Sequence, residues 1–313
     1  MTAPLPFRDG LAPLRIRLPH TEHPRTEHPH TEHLRTTLEY LQRAHPDDRW
    51  QEKMASGEVL DERGRTYGVD TPYRAGAFVY FYRVPAPEVP VPFEMDVLYA
   101  DERIVVVDKP HFLATIPRGR HVTETATVRL RRLLDNPDIT PAHRLDRATA
   151  GVLLFTTAPA YRRPYQDLFA TGAAIKEYEA LAGYDAALSF PRTIESRIVK
   201  EHGVMIAREE PGEPNSETYV ELIGRAGDGA RYRLVPRTGK THQLRLHLSS
   251  AGIPIVGDPY YPTFTSVAAD DFGSPLQLLA RSLTFDDPFS GERRTFVSRR
   301  ELTQTATRSA HGA

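Results

Sequence analysis

Asp146 lies in PAHRLDRATAGVLLFTT, residues 141–157, between Arg144 and Arg147 and just ahead of the apolar run VLLFTT. Flanking guanidiniums and hydrogen bonds both favour the charged carboxylate. An ionised Asp at the edge of a core is either half of a structural ion pair, the commoner case for an isolated Asp, or a nucleophile or base. A second segment, IKEYEALAGY (175–184), alternates Lys176, Tyr178 and Ala180 with Glu177 and Glu179. On a strand Tyr178 points inward, either as a core tyrosine or as a ring against which a flat ligand packs. In the third, RTGKTHQLRLHLSSAGIPIVGDPYY (237–261), Thr241 can cap a helix that Gly252 ends. His242, Arg245 and Ser249 are spaced three and four apart, on one face of that helix. The face would offer a cation to an acidic group elsewhere, and Asp146 is the candidate.

These residues need a scaffold. VLYADERIVVVDKP predicts two strands around a turn at 100–102, VLLFTT a buried strand, and TATVRLRRLLDN an amphipathic helix with Val128, Leu130, Leu133 and Leu134 on one side. Strands and helices mix without regular β-α-β alternation or a glycine-rich phosphate loop, which excludes Rossmann and P-loop readings and predicts an α+β fold. Upstream, TTLEYLQRAH and Trp50 to Ala55 predict two short helices, followed by a small hairpin ending in AFVYFYR. The domains expected are a low-complexity N-terminal tail (1–34), a small module (35–85), a proline-rich linker (86–98), a catalytic domain (99–300) and a flexible tail (301–313). HTEHPRTEHPHTEH (20–33) alternates His with Pro and cannot bury a core, so it is read as a linker and not as a metal tract.

The 313 residues include no cysteine, which excludes thiolate nucleophiles and Cys-ligated metal sites. No run is long and apolar enough for a spanning helix, and MTAPLPFRDG lacks a signal-peptide layout, so a cytoplasmic protein with no membrane partner is expected. The net charge is −1, yet residues 101–163 hold eleven basic against seven acidic side chains and 225–250 six against one. That distribution fits either a phosphate-facing groove or a solvated basic face. A hydrolase using Asp146 with water would need a second carboxylate. Glu177 and Glu179 are close in sequence, but the alternation turns them away from Tyr178 toward solvent.

HRLDRATAG (143–151), KEYEA (176–180), GKTHQLRLH (239–247) and VGDPYY (256–261) occur in an order and spacing that resembles the RluA-type pseudouridine synthases, over about residues 95–290. The resemblance outweighs the ion-pair reading of Asp146. It implies a mixed, mostly antiparallel catalytic sheet that isomerises uridine in RNA, with Asp146, Tyr178 and Arg245 catalytic. Arg144, His143, Arg147, Lys176, Lys240, His242 and Gln243 would contact the RNA. Arg245 is expected to pair with Asp146, and Tyr178 to stack on the detached base and help remove the carbon-5 proton. The reaction needs no cofactor or metal, and a monomer suffices. Residues 36–84 resemble the alpha-L RNA-binding module, with Asp47-Asp48-Arg49 in place of its usual Ser-Arg. That favours ribosomal RNA over tRNA as substrate. A non-catalytic RNA-binding protein on the same scaffold would be expected to lose Asp146 or Arg245, and both are present. Three departures from the family pattern stand out: KPHFL (109–113) lacks the glycine of Lys-Pro-x-Gly-Leu, Leu279 replaces a histidine, and Asp287-Pro288 replaces His-Pro.

Overall fold

In the computed structural model, residues 4–20, 34–46, 49–201, 203–204 and 206–303 are described. Residues 21–33 of the His/Pro segment, Asp47-Asp48 and the tail beyond Thr303 lie outside the described residues. The chain divides into two compact units, Met1–Glu88 with Arg131–Pro137, and Val89–Leu130 with Asp138–Ala313.

The first unit contains β1 (Leu14–Arg17), α1 (Thr37–Ala44), α2 (Trp50–Ala55) and β2 (Phe78–Phe81). Thr36 and Glu39 form a capping box that starts α1, as the sequence TTLE allows. Leu18, Leu41, Trp50, Met54, Val59, Val79 and Phe81 make the core. The expected hairpin is present as an antiparallel bridge in which Leu60 and Tyr80 exchange backbone hydrogen bonds. The strand AFVYF also pairs antiparallel with Leu14–Arg17, so residues 14–18, expected in the tail, belong to the fold. The physical reason is Leu18, fully buried against the helices, which anchors β1 at the edge of β2.

The remaining elements run β3 (Asp96–Ala100), β4 (Ile104–Lys109), α3 (Ala126–Leu133), β5 (Thr140–Pro141), β6 (Ala150–Thr156), α4 (Pro159–Ala170), β7 (Ile175–Ala182), β8 (Arg192–Val199), β9 (Arg208–Glu210), β10 (Ser216–Ala226), β11 (Gly229–Pro236), α5 (Gln243–Ser250), β12 (Leu278–Asp286) and β13 (Arg293–Val297). One sheet of eleven strands is ordered β3-β4-β6-β12-β7-β11-β10-β8-β9, with β5 on β6 and β13 on β12. Only the β6–β12 pairing is parallel, so the sheet is mixed and mostly antiparallel, in an α+β fold.

Two stretches assigned no fold by the sequence belong to this core. Val91, in the expected linker, packs with Val105, Val107 and Leu153, and Leu302, in the expected tail, is buried against Ala150, Leu181 and Leu279. On α3, Val128 and Leu130 are buried as expected, but Leu133 and Leu134 are exposed, because the helix stops there and Asp135 turns the chain with φ 45°.

The centre of the sheet does the positioning. Gly151, Ala280 and Tyr178 lie abreast on β6, β12 and β7, which places the ring of Tyr178 beside the loop leading into β6. Gly151 has φ 112°, and a Cβ there would fall 2.2 Å from the carbonyl oxygen of Ala280, so the close parallel pairing demands glycine.

Glu177 and Glu179 face away from Tyr178, as the alternation predicts, but not into solvent. Glu179 bonds Arg281 (2.7 Å) and Arg231 (2.8 Å), and Glu177 pairs with Arg233, which also holds Glu221. Arg237 pairs with Glu217. Arg231, Arg233 and Arg237, half of the basic side chains counted in 225–250, are therefore in ion pairs.

Candidate active site

The loop 143–149 is held from one side by the segment following β4. The buried Lys109 ammonium donates to the carbonyls of Leu113 (2.8 Å), Pro110 (3.1 Å) and Arg147 (3.5 Å). His111 Nδ1 lies 2.7 Å from the Ala148 carbonyl. Thr115 Oγ1 donates to the Leu145 carbonyl (2.7 Å) and accepts from its amide (3.2 Å). Three side chains from residues 109–115 thus fix the backbone on both sides of Asp146.

KPHFL departs from the family pattern at Phe112. Phe112 occupies the glycine position of the family pattern and has φ 66°. Its ring is buried among Phe93, Phe272 and the Arg147 guanidinium, 5.8 Å from the ring centroid. Left-handed backbone costs a non-glycine residue about 1–2 kcal/mol, whereas a buried phenyl ring contributes about 3–5 kcal/mol. Phe112→Gly is therefore expected to destabilise the protein by about 2 kcal/mol in a denaturant titration; a more stable variant would contradict this account.

Asp146 is the focus. Its carboxylate, with 34% of the side chain exposed, lies 3.5 Å from Arg245 Nη1 and 3.8 Å from His242 Nε2. Arg245 is 2% exposed, and its principal partner is another residue: Nε and Nη2 grip Asp258 at 2.8 and 2.6 Å, while Nη1 turns toward Asp146. The expected pairing of Arg245 with Asp146 is present, as one arm of a bridge between two carboxylates. Asp258, in VGDPYY, was legible as an element of the motif but not as this partner. Burial alone would lower the Arg245 pKa; the Asp258 hydrogen bonds and the two carboxylate charges raise it instead, so the guanidinium stays charged.

The helix geometry also differs from expectation. α5 begins at Gln243, and its N-cap is His242 at φ 57°, not Thr241. His242 therefore leaves the helical face, directs Nδ1 to the Tyr261 hydroxyl at 2.9 Å, and presents Nε2 to Asp146. Burial lowers its pKa more than the Asp146 charge raises it, so the imidazole is neutral at pH 7. Gly252, φ 81°, lies just beyond Ala251 at the C-terminus, as expected.

Tyr178 is packed between the two core clusters that flank the loop. Burial and the Asp146 charge both push its phenol upward, so it stays protonated.

Of the other residues expected to meet RNA, Arg144 and Lys240 are exposed. Arg147 is half-buried, with no hydrogen-bond partner for its Nε. Lys176 is half-buried, its pKa lowered by burial. The other two make contacts within the fold. His143 stacks on Phe169 at 4.2 Å and accepts the Leu154 amide through Nε2, and burial holds its pKa down to about 3. Gln243 spends its amide on Thr238, Lys240, Glu217 and Thr218, closing the loop ahead of α5. The remaining departures are structural: Leu279 fills a core cluster, and Asp287 accepts from Tyr165 (2.6 Å) and two backbone amides.

Burial lowers the Lys109 pKa to about 7, against the opposing pull of Asp146. A base whose folded pKa lies below its unfolded value binds fewer protons when folded, so stability rises with pH between the two values, here from about 7 toward 10.5. Relative to Lys109→Met, the wild-type protein is expected to gain about 2 kcal/mol between pH 7 and 9. Parallel denaturant titrations check it, and a constant difference would show that Lys109 keeps its ordinary pKa.

The site thus holds a buried cation divided between two carboxylates, with the Tyr178 ring near the more exposed one. A family model described as RNA pseudouridylate synthase matches residues 103–250. An uncharacterised RNA pseudouridine synthase of Synechocystis sp. is 30% identical over 227 residues, 71% of this chain and 77% of that protein. The dual-specificity RNA pseudouridine synthase RluA of Escherichia coli (strain K12) is 32% identical over 212 residues, 64% of this chain and 90% of its own length. Among solved structures, human RNA pseudouridylate synthase domain containing 1 superposes with a TM-score of 0.53 at 25% identity, covering 66% of this chain and 83% of that one. The chain belongs to the RluA-type RNA pseudouridine synthases, isomerases acting on RNA.

Proposed function

We propose that the reaction runs through Asp146 and that the substrate is a uridine in structured RNA, with 23S ribosomal RNA the leading target. The observation that carries the catalytic assignment is the Asp146 carboxylate itself, one-third exposed and 3.5 Å from a buried guanidinium fixed by a second carboxylate. In the reaction the bond from ribose C1′ to N1 breaks, the uracil turns, and C1′ bonds to C5. C5 gives up its proton and N1 gains one, so the product is an isomer. Asp146 opens this sequence at the target nucleoside, and Arg245 holds its carboxylate in place. Tyr178 stacks on the detached base. The exposed Arg144, two residues before Asp146, keeps the nucleotide out of its helix through a phosphate or the vacated space.

Lys240 and the half-buried Arg147 and Lys176 are suited to the RNA backbone. The N-terminal unit supports a ribosomal substrate through its likeness to the alpha-L module. A second reading, more than one RNA substrate including tRNA, is favoured by the relatives described as dual-specificity enzymes. Transcripts of 23S ribosomal RNA and of a tRNA set, each carrying tritium at C5 of uridine, separate these readings. Release from the ribosomal transcript alone supports the first, release from both the second, and release from tRNA alone contradicts the leading target.

A further inference from the structure

From His242, beside Asp146, an aromatic series leads to an exposed ring. The His242 ring lies 5.4 Å from that of Tyr260, and Tyr260 stacks on Phe264 at 6.0 Å with 17° between the planes. Phe264 is 55% exposed, which leaves its ring open to solvent. The series is built rather than incidental. Asp258 Oδ1, which grips Arg245, also accepts the amides of Tyr260 (2.8 Å) and Tyr261 (3.2 Å). The Thr265 amide closes the turn on the Pro259 carbonyl at 2.7 Å. The Arg245 guanidinium sits 4.7 Å from the Tyr260 ring centroid. Gly257, φ 74°, makes the approach possible, since a Cβ there would meet the Pro275 carbonyl oxygen at 2.5 Å. One carboxylate therefore fixes both the cation facing Asp146 and the start of the exposed aromatic pair.

We infer that Tyr260 and Phe264 form a stacking platform for a nucleobase adjacent to the target uridine, a subsite that selects RNA in which this neighbour is also unstacked. The occupant follows from the chemistry on the page. The substrate is RNA, a base pulled from its helix leaves neighbours with exposed faces, and aromatic rings are the usual receivers of such faces. The inference rests on Asp146 being the site of reaction.

The test uses the full chain and an RNA hairpin bearing the mapped uridine, with 2-aminopurine placed in turn at the nucleotide on either side. On wild-type protein its fluorescence should be quenched at one of the two positions. In Phe264→Ala the quenching should be lost and the KM for tritium release should rise about tenfold, the range expected for one stacked base. Phe264→Trp should retain both. Unchanged quenching and KM in Phe264→Ala, with tritium still released, would overturn the platform and leave the reading of Asp146 standing. Tritium release that survives Asp146→Asn would remove that reading and the platform with it.

Discussion

Asp258→Ala is expected to lower the melting temperature by about 10 °C and to abolish most activity. Asp258 is 1% exposed and holds two donors of an equally buried guanidinium at 2.6 and 2.8 Å. Removing one member of a buried pair leaves an uncompensated charge, at a cost of about 3–5 kcal/mol. For a unit of this size each kcal/mol shifts the midpoint by roughly 2–4 °C. The loss should exceed that of any exposed ion pair in the chain, such as Arg163–Asp167. Thermal unfolding of the Asp258→Leu/Arg245→Met double variant separates structure from chemistry. Apolar replacement of both partners should restore much of the melting temperature without restoring turnover. A double variant that recovered activity would show that Arg245 only supports the fold.

Asp146→Asn is the larger effect on rate, a fall of at least about 10³-fold. The substitution preserves shape, and the backbone of the loop is held by Lys109, His111 and Thr115 independently of the Asp146 side chain. The fold should therefore persist, with an unchanged melting temperature to within a few degrees. The amide cannot act as nucleophile or base, which is why the rate carries the whole effect. His242, at 3.8 Å and neutral, cannot substitute for the carboxylate without moving.

Much of the site was readable from residue order because the sheet converts sequence spacing into simple geometry. The alternation in KEYEA puts Tyr178 inward on β7, and the glycine of HRLDRATAG permits the parallel contact that brings Asp146 beside it. What was not readable depended on partners far apart in sequence. Arg245 gave no sign that Asp258 would take two of its donors. His143 and Gln243 sit inside the motifs yet serve the fold, because a motif records which residues recur and not which way they face. Glu177 and Glu179 were placed on the correct face, but their arginine partners on β11 and β12 could not be seen without the strand order. Phe112 shows the reverse case: at a position where the family pattern has glycine, a residue at φ 66° adds its ring to the core.

The most direct test of Asp146-dependent isomerisation is tritium release from RNA labelled at C5 of uridine, measured beside pseudouridine content in the same RNA, for the wild-type protein and Asp146→Asn. The account predicts one tritium released for each pseudouridine formed by the wild-type protein, and neither from the variant. Equal release from both proteins, or release without pseudouridine, would contradict it.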